Sequence, residues 1–96
     1  MVKNSFVYIL SNDKKNAFHV DVTNDLKRRL ELHANNPKGM VKDRQVVNLV
    51  LVETKENIKL AIDRQKEIKS LSVEDKIKLV SADNPDWKSM NKDFLK

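Results

Sequence analysis

The sequence predicts an α+β fold, in which helices flank a three-stranded antiparallel sheet and the elements follow the order β-β-α-β-α-α. Three observations predict it: two β-rich runs near the N-terminus, a third apolar run in the middle, and helical periodicity in the second half. A chain of 96 residues is long enough for one modest core and too short for two. We therefore expect one domain over residues 1–96.

The first two strands are expected to form a hairpin. Phe6 to Leu10 and Ala17 to Val22 are rich in β-forming residues, and the segment SNDKKN between them favours a reversal of the chain. Alternation along the second strand places His19 and Asp21 on one face. If the strands pair, Asp21 can lie across from Tyr8.

The first helix carries basic residues on its apolar stripe. Thr23 or Asn24 can cap a helix that starts at Asp25. The inner face of this helix then combines apolar and basic side chains, namely Leu26, Arg29, Leu30 and His33. The following segment, residues 33–44, contains the single glycine and is predicted to be a loop before the third strand, residues 46–53.

The second half is predicted to contain two helices and a turn-rich tail. A long amphipathic helix opens at Thr54, and its inner stripe comprises Ile58, Ala61, Ile62, Gln65, Ile68 and Leu71. Gln65 is the polar member of that stripe. Ser72 resembles the first residue of a capping box for the next helix. In the tail, Trp87 and Phe94 are the aromatic residues expected to fold the chain back onto the domain.

Composition excludes several classes of protein. The chain has no cysteine, which excludes disulfides, thiol catalysis and cysteine-ligated zinc. Nineteen basic against 14 acidic side chains give a formal charge of +5, which favours polyanionic partners. The apolar runs are too short to span a membrane, and the N-terminus has no long apolar segment. We expect a soluble, cytoplasmic protein that does not bind membranes.

Five segments together resemble the small single-domain bacterial members of the GIY-YIG nuclease superfamily. They are FVYILSND, FHVDVTNDLKRRLELH, NLVLVET, AIDRQKEIK and NPDWK, and they cover nearly the whole chain. The resemblance implies a three-stranded antiparallel sheet that carries a phosphodiesterase site on one face. It also implies that two tyrosines, an arginine and a glutamate surround one divalent metal ion, Mg²⁺ or Mn²⁺.

Part of that site is retained in this sequence. By resemblance, Tyr8 stands for the tyrosine that helps to activate the attacking water, and Arg29 for the arginine that holds the scissile phosphate. His33 matches a histidine often found one helical turn later. Each has a plainer reading: Tyr8 as an amphipathic core residue, and Arg29 and His33 as side chains that lie along apolar surface with their polar ends in water.

Three positions depart from the family pattern, two in the second motif and one on the later helix. His19-Val20-Asp21 replaces the YIG motif, so that the second tyrosine becomes His19 and the glycine becomes Asp21. Gln65 falls where the pattern places the metal-binding glutamate. His19 and Asp21 form either a relocated metal site or an ordinary hydrogen-bonded pair.

The loss of the glutamate charge matters for catalysis rather than for folding. Magnesium in proteins is usually fixed by one or two carboxylates. Two opposite charges about 4 Å apart interact by roughly 4 kcal/mol at an effective dielectric of about 20. Losing that much from the transition state would slow a reaction about a thousandfold. Gln65 therefore predicts impaired or absent cleavage.

Three hypotheses follow. The first is a nucleic-acid-binding domain whose cleavage is impaired or lost, with DNA rather than RNA as the expected partner and no cofactor expected. The second is an active metal-dependent endonuclease that uses Tyr8 and Arg29, with His19 and Asp21 in a relocated metal site. The third is a protein-binding module on the same scaffold. The residues predicted to contact nucleic acid are Lys27, Arg28, Arg29, His33, Lys38, Lys42 and Arg44.

Overall fold

The computed structural model describes residues 4–35 and 39–94, and within them it leaves out the side chains of Met40 and Phe94. The predicted α+β architecture is confirmed: three antiparallel strands form one sheet with helices around it. The elements are β1 (Ser5–Ser11), β2 (Phe18–Thr23), α1 (Leu26–Asn35), α2 (Gly39–Asp43), β3 (Asn48–Lys55), α3 (Ile58–Lys69), α4 (Val73–Asp83) and α5 (Asn91–Phe94).

The sheet has the order β2-β1-β3, so the most apolar strand is in the centre. Both pairings are antiparallel, and in the first of them Tyr8 lies directly across from Asp21, as alternation allowed. The pairing of β1 with β3 shifts between Ile9 and Leu10, which pair with Leu51 and Leu49. Such a bulge leaves one residue of the longer strand unpaired and increases the local twist.

The core has two halves, one on each face of the sheet, because alternate residues of β1 point to opposite sides. The half that packs against α3 and α4 contains Val7, Ile9, Val20, Val50, Leu51, Ala61, Ile68 and Val80. The other half packs around α1 and the segment before β3 and contains Tyr8, Leu10, Ala17, Leu26, Leu30, Val41, Val46 and Leu49. Tyr8 therefore belongs to the half of the core that α1 covers.

The predicted start and cap of α1 were wrong by one or two residues. The helix begins at Leu26, and the side chain of Asp25, rather than that of Thr23 or Asn24, accepts the hydrogen bond from the backbone N–H of Arg28 at 3.1 Å. Thr23 is instead the last residue of β2, and its hydroxyl accepts from the N–H of Asp25. The strand thus continues further toward the helix than the cap pattern indicated.

The long helix also starts later than predicted. β3 runs on to Lys55, so Thr54 is a strand residue, and Asn57 caps α3 by accepting from the N–H of Leu60 at 3.0 Å. Ile58 and Ile62 were predicted to face inward, yet they are 47% and 38% exposed. The contact with the sheet runs through Ala61 and Ile68, which are fully buried, so the buried stripe is narrower than the apolar one.

Two short helices were not predicted. α2 lies within the segment expected to be a loop, where Val41 is buried in the Tyr8 half of the core. α5 lies in the tail, where Asn91 accepts from the N–H of Leu49 at 2.8 Å and donates to the carbonyl of Val47 at 2.9 Å. These contacts fix the tail along β3. The start of α4 agrees with the prediction, since Ser72 accepts from the N–H of Asp75.

The tail is also held by an aromatic contact. The ring centroids of Trp87 and Phe18 lie 6.3 Å apart, and the indole N–H of Trp87 donates to the hydroxyl of Ser81 at 2.9 Å. Both contacts agree with the predicted anchoring role of Trp87. The side chain of Phe94, the second predicted anchor, is outside the described residues. No helix in residues 4–35 and 39–94 has both the length and the apolar character needed to cross a bilayer.

Candidate functional site

Tyr8 is at the centre of a polar cluster on the face of the sheet that α1 covers. It is fully buried, and its hydroxyl shares a hydrogen bond of 2.9 Å with Nε2 of His33. Its ring centroid lies 6.1 Å from the rings of both His19 and His33. Tyr8, His19 and His33, which the family resemblance places at the catalytic site together with Arg29 and Gln65, therefore meet, and they come from β1, β2 and α1.

The rings of His19 and His33 meet edge to face, with their centroids 5.1 Å apart. Burial lowers the pKa of both imidazoles, and for His33 the neighbouring His19 lowers it further. Both rings are therefore neutral near pH 7. Nε2 of His19 is enclosed and has no hydrogen-bond partner; its nearest acidic neighbour is Oδ2 of Asp21 at 3.6 Å.

Asp21 joins the remaining site residues to one another. Its Oδ2 accepts a hydrogen bond from Nη1 of Arg29 at 3.0 Å, which makes an ion pair between β2 and α1. Its Oδ1 accepts from the backbone N–H of Val22 at 2.8 Å and from Nε2 of Gln65 at 3.2 Å. Both carboxylate oxygens are thus engaged within the protein.

Gln65 reaches this cluster from α3, on the other side of the sheet. Its Nε2 donates to Asp21 and, at 3.4 Å, to the carbonyl of Val20. Both partners are acceptors, so the amide nitrogen rather than the amide oxygen must face them. A glutamate here would direct a carboxylate at Asp21, which would place two like charges in contact.

The position of Gln65 depends on an ion pair formed by the residue before it. Arg64 binds Glu53 of β3 through two hydrogen bonds, Nε to Oε1 at 2.9 Å and Nη2 to Oε2 at 3.1 Å. A bidentate guanidinium–carboxylate pair fixes orientation as well as distance. Together with the buried Ala61, this pair sets the rotation of α3 against the sheet.

Burial and the negative charge of Asp21 raise the pKa of Tyr8 well above its usual range, although Arg29 opposes the shift. Tyr8 is therefore a neutral phenol near pH 7, able to donate or accept a hydrogen bond but not to act as a preformed phenolate. The cluster as a whole contains neutral imidazoles, a phenol, the Asp21 carboxylate and one partly exposed guanidinium, which is paired with Asp21. The guanidinium is the group of this cluster whose geometry matches an anion such as phosphate.

The divalent metal implied by the GIY-YIG resemblance does not fit this set of donors. A hard cation is usually held by at least one carboxylate, and Asp21, the carboxylate present here, is paired with Arg29 and accepts a hydrogen bond from Gln65. Gln65 directs its amide nitrogen, rather than its amide oxygen, toward Asp21. Across residues 4–35 and 39–94, no three His, Cys, Asp or Glu side chains converge as metal ligands would.

Two lysines beside the cluster were missed by the sequence analysis. An open cleft of about 440 Å³ on the outer side of β2 is lined by Phe18, His19, Val20, Asp21, Lys69 and Lys76. Lys69 lies close enough to lower the pKa of His19. The position of Lys69 four residues after Gln65, one helical turn away, was a signal that could have indicated its place beside the site.

The predicted basic surface is divided. Arg29 lines a second depression together with Arg28, whereas Arg44 lines a separate one near the β1–β2 turn, alongside Asp13 and Asp43. Lys27 and Lys42 are exposed. Lys38 lies outside the described residues. Arg28 and Arg29 thus share one surface, and Arg44 is on another.

Comparison with known proteins gives one informative similarity. The sequence matches no protein-family model, and the search of curated proteins finds no match. The solution structure of the UPF0213 protein BH0048 from Bacillus halodurans is similar to this chain over 93% of its length and 95% of that chain. The sequence identity is 27% and the TM-score is 0.58. The two proteins share a fold, and this similarity supports the GIY-YIG resemblance at the level of the fold.

Proposed function

We propose that this protein is a GIY-YIG-fold domain that binds nucleic acid, with DNA as its expected partner, and that its phosphodiesterase activity is impaired or lost. One observation carries the proposal: where the superfamily has a metal-binding carboxylate, Gln65 presents an amide nitrogen that donates to Asp21. Arg29 and the neighbouring lysines supply the positive charge that a phosphate backbone requires, and the neutral His33 would contribute a hydrogen-bonding group rather than a charge.

The binding would be largely independent of sequence. Contacts between basic side chains and phosphates give affinity and orientation but do not read the bases. Because such binding releases counterions, the affinity should fall steeply as salt is added. The partly exposed Arg29 is the strongest single candidate for a phosphate contact, since a guanidinium matches the geometry of a phosphate.

The direct test combines cleavage and binding on the same preparation. Branched and single-stranded DNA are incubated with the protein in Mg²⁺ or Mn²⁺, and affinity is measured by fluorescence anisotropy over a salt series. We expect no products, salt-dependent binding, and weaker binding by Arg29→Ala. Undetectable affinity at low salt would contradict the proposal and favour a protein-binding module.

A second candidate is an active metal-dependent endonuclease with a relocated site at His19 and Asp21. It would require Asp21 to give up its contacts with Arg29 and Gln65. It is favoured by one observation, the enclosed Nε2 of His19 that has no hydrogen-bond partner and lies 3.6 Å from Asp21. Products that require Mn²⁺ and disappear in both Arg29→Ala and His19→Ala would establish this candidate instead of the first.

A further inference from the structure

Asp21 stands where an incoming phosphate would bind. A guanidinium uses the same planar set of N–H donors for carboxylates and for phosphates. In this protein Nη1 of Arg29 already donates to Oδ2 of Asp21 at 3.0 Å. A phosphate that binds Arg29 must therefore displace Asp21 or share the guanidinium with it.

The contacts of Asp21 hold it in that place. Its Oδ1 accepts from the N–H of Val22 and from Nε2 of Gln65, so two groups other than Arg29 orient the carboxylate. The carboxylate is thus positioned by β2 and α3 and presented to a side chain of α1. Three elements of the fold cooperate in this contact.

The Arg29–Asp21 pair is nevertheless open to exchange. The side chains of Arg29 and Asp21 are 38% and 31% exposed, and ion pairs that remain this accessible to water contribute little net stability. The cleft lined by Lys69 and Lys76 includes Asp21, and the depression lined by Arg28 and Asp25 includes Arg29. Each member of the pair is therefore reached from a depression that carries basic side chains.

We propose that Asp21 is an internal anion that competes with phosphate for Arg29 and so sets how tightly the site binds a phosphate ligand. The proposal rests on the proposed nucleic-acid-binding function for its biological ligand, but the competition itself concerns phosphate of any source. Asp21 weakens binding in two ways, by occupying Nη1 of Arg29 and by repelling a second anion at short range. Removing its charge should strengthen binding.

The test compares two isosteric variants that change the net charge equally. Asp21→Asn removes the competing charge, whereas Asp63→Asn removes the charge of an exposed residue of α3 that lies elsewhere. Affinity for a short single-stranded oligodeoxynucleotide is measured at low salt by anisotropy. We expect Asp21→Asn to bind about tenfold more tightly than Asp63→Asn, which corresponds to about 1.4 kcal/mol. Equal affinity of the two variants would overturn the proposal.

A second measurement separates this proposal from the proposed function. Inorganic phosphate is titrated into ¹⁵N-labelled wild type and Asp21→Asn, and the side-chain Nε–H signal of Arg29 is followed by NMR. A stronger response in Asp21→Asn supports competition even if the oligonucleotide does not bind, in which case the nucleic-acid function alone fails. The absence of any response in both proteins would overturn the competition itself.

A second variant at the same position tests the proposal if Asp21→Asn does not fold. Asp21→Gly, which removes the whole side chain, is measured in parallel, and circular dichroism verifies that each variant is folded. Weaker phosphate binding by a folded Asp21→Gly variant than by wild type would also overturn the proposal.

Discussion

Two arginine–carboxylate pairs link helices to the sheet, and they differ in construction. Arg64 and Glu53 form a bidentate pair, and their side chains are 27% and 22% exposed. Arg29 and Asp21 meet through a single nitrogen and are 38% and 31% exposed. The first pair fixes α3 on β3, whereas the second leaves most of its guanidinium available. A guanidinium and a carboxylate can therefore serve either structure or binding, depending on their geometry and their access to water.

The largest effect on stability is expected from replacing Gln65, which donates a hydrogen bond to Asp21. Gln65→Glu replaces a donor by a carboxylate that faces Asp21, so it should lower the free energy of unfolding by about 2–3 kcal/mol in chelator. Gln45→Glu makes the same change at an exposed residue and should cost less than about 0.5 kcal/mol. Urea denaturation measures both. Mn²⁺ should restore the stability of Gln65→Glu, because two adjacent carboxylates can hold a cation. Stability equal to that of wild type in chelator would contradict the expectation.

The next largest effect is a difference between the two arginine–carboxylate pairs in their contribution to the free energy of unfolding. Arg64→Ala leaves Glu53 partly buried without its bidentate partner and should cost about 1–2 kcal/mol. Arg29→Ala should cost less than about 1 kcal/mol, since that pair is more exposed. Urea denaturation of both variants gives the comparison. If Arg29→Ala proved the more destabilising, the distinction drawn between the pairs would be wrong.

The same two variants should reverse their order when nucleic-acid binding is measured. Arg29→Ala should weaken binding to single-stranded DNA about fivefold at low salt, through the loss of a charge-assisted phosphate contact. Arg64→Ala removes an equal charge and should change affinity by less than about twofold, because its donors are held by Glu53. Anisotropy titrations of the two proteins provide the test, and similar losses in both would indicate that net charge alone governs binding.

A smaller effect is expected at the cleft beside β2. The double variant Lys69→Ala and Lys76→Ala should weaken binding about threefold and make its salt dependence shallower, as expected when phosphate contacts are removed. Lys59→Ala with Lys78→Ala makes the same change at exposed positions that do not line this cleft. Equal salt slopes for the two double variants would indicate that the phosphate backbone of the nucleic acid does not bind along this cleft.

The smallest effect is an acid-dependent loss of stability at Glu53. The hydrogen bonds from Arg64 hold the pKa of this carboxyl below its ordinary value of 4.5. A lowered pKa in the folded state stabilises the protein above the ordinary pKa, and that contribution disappears as the pH falls through the lowered value. We expect this group to contribute less stability as the pH falls, and the loss to be smaller in Arg64→Ala. Unfolding measured from pH 6 to pH 3 would show it, and identical acid curves would contradict it.

Sequence patterns were sufficient wherever the information was local or periodic. Alternation placed His19 and Asp21 on one face of β2, and helical spacing placed Arg29 and His33 on the inner side of α1, where the structure has them. The hydrogen bond between Gln65 and Asp21 joins residues 44 positions apart, and its geometry depends on how α3 packs against the sheet. No pattern within one segment contains that information.

The errors have a similar origin. The start predicted for α3 was early because Thr54 can cap a helix, and only its pairing with Phe6 shows that the strand continues. The inward assignment of Ile58 and Ile62 followed from periodicity alone, but how much of an apolar stripe is covered depends on what packs against it. In both cases the outcome depends on which neighbouring element the segment pairs or packs with, and not on the segment alone.

The side chains around Asp21 also have a consequence for self-association. The N–H of Val22 and the carbonyl of Val20 belong to an outermost strand, and Asp21 and Gln65 occupy them. On the opposite margin of the sheet, Asn91 does the same for Leu49 and Val47. Exposed strand margins are templates for aggregation. The residues that restrict the anion site therefore also discourage the chains from joining into extended sheets, and substitutions that open the site should be monitored for multimers.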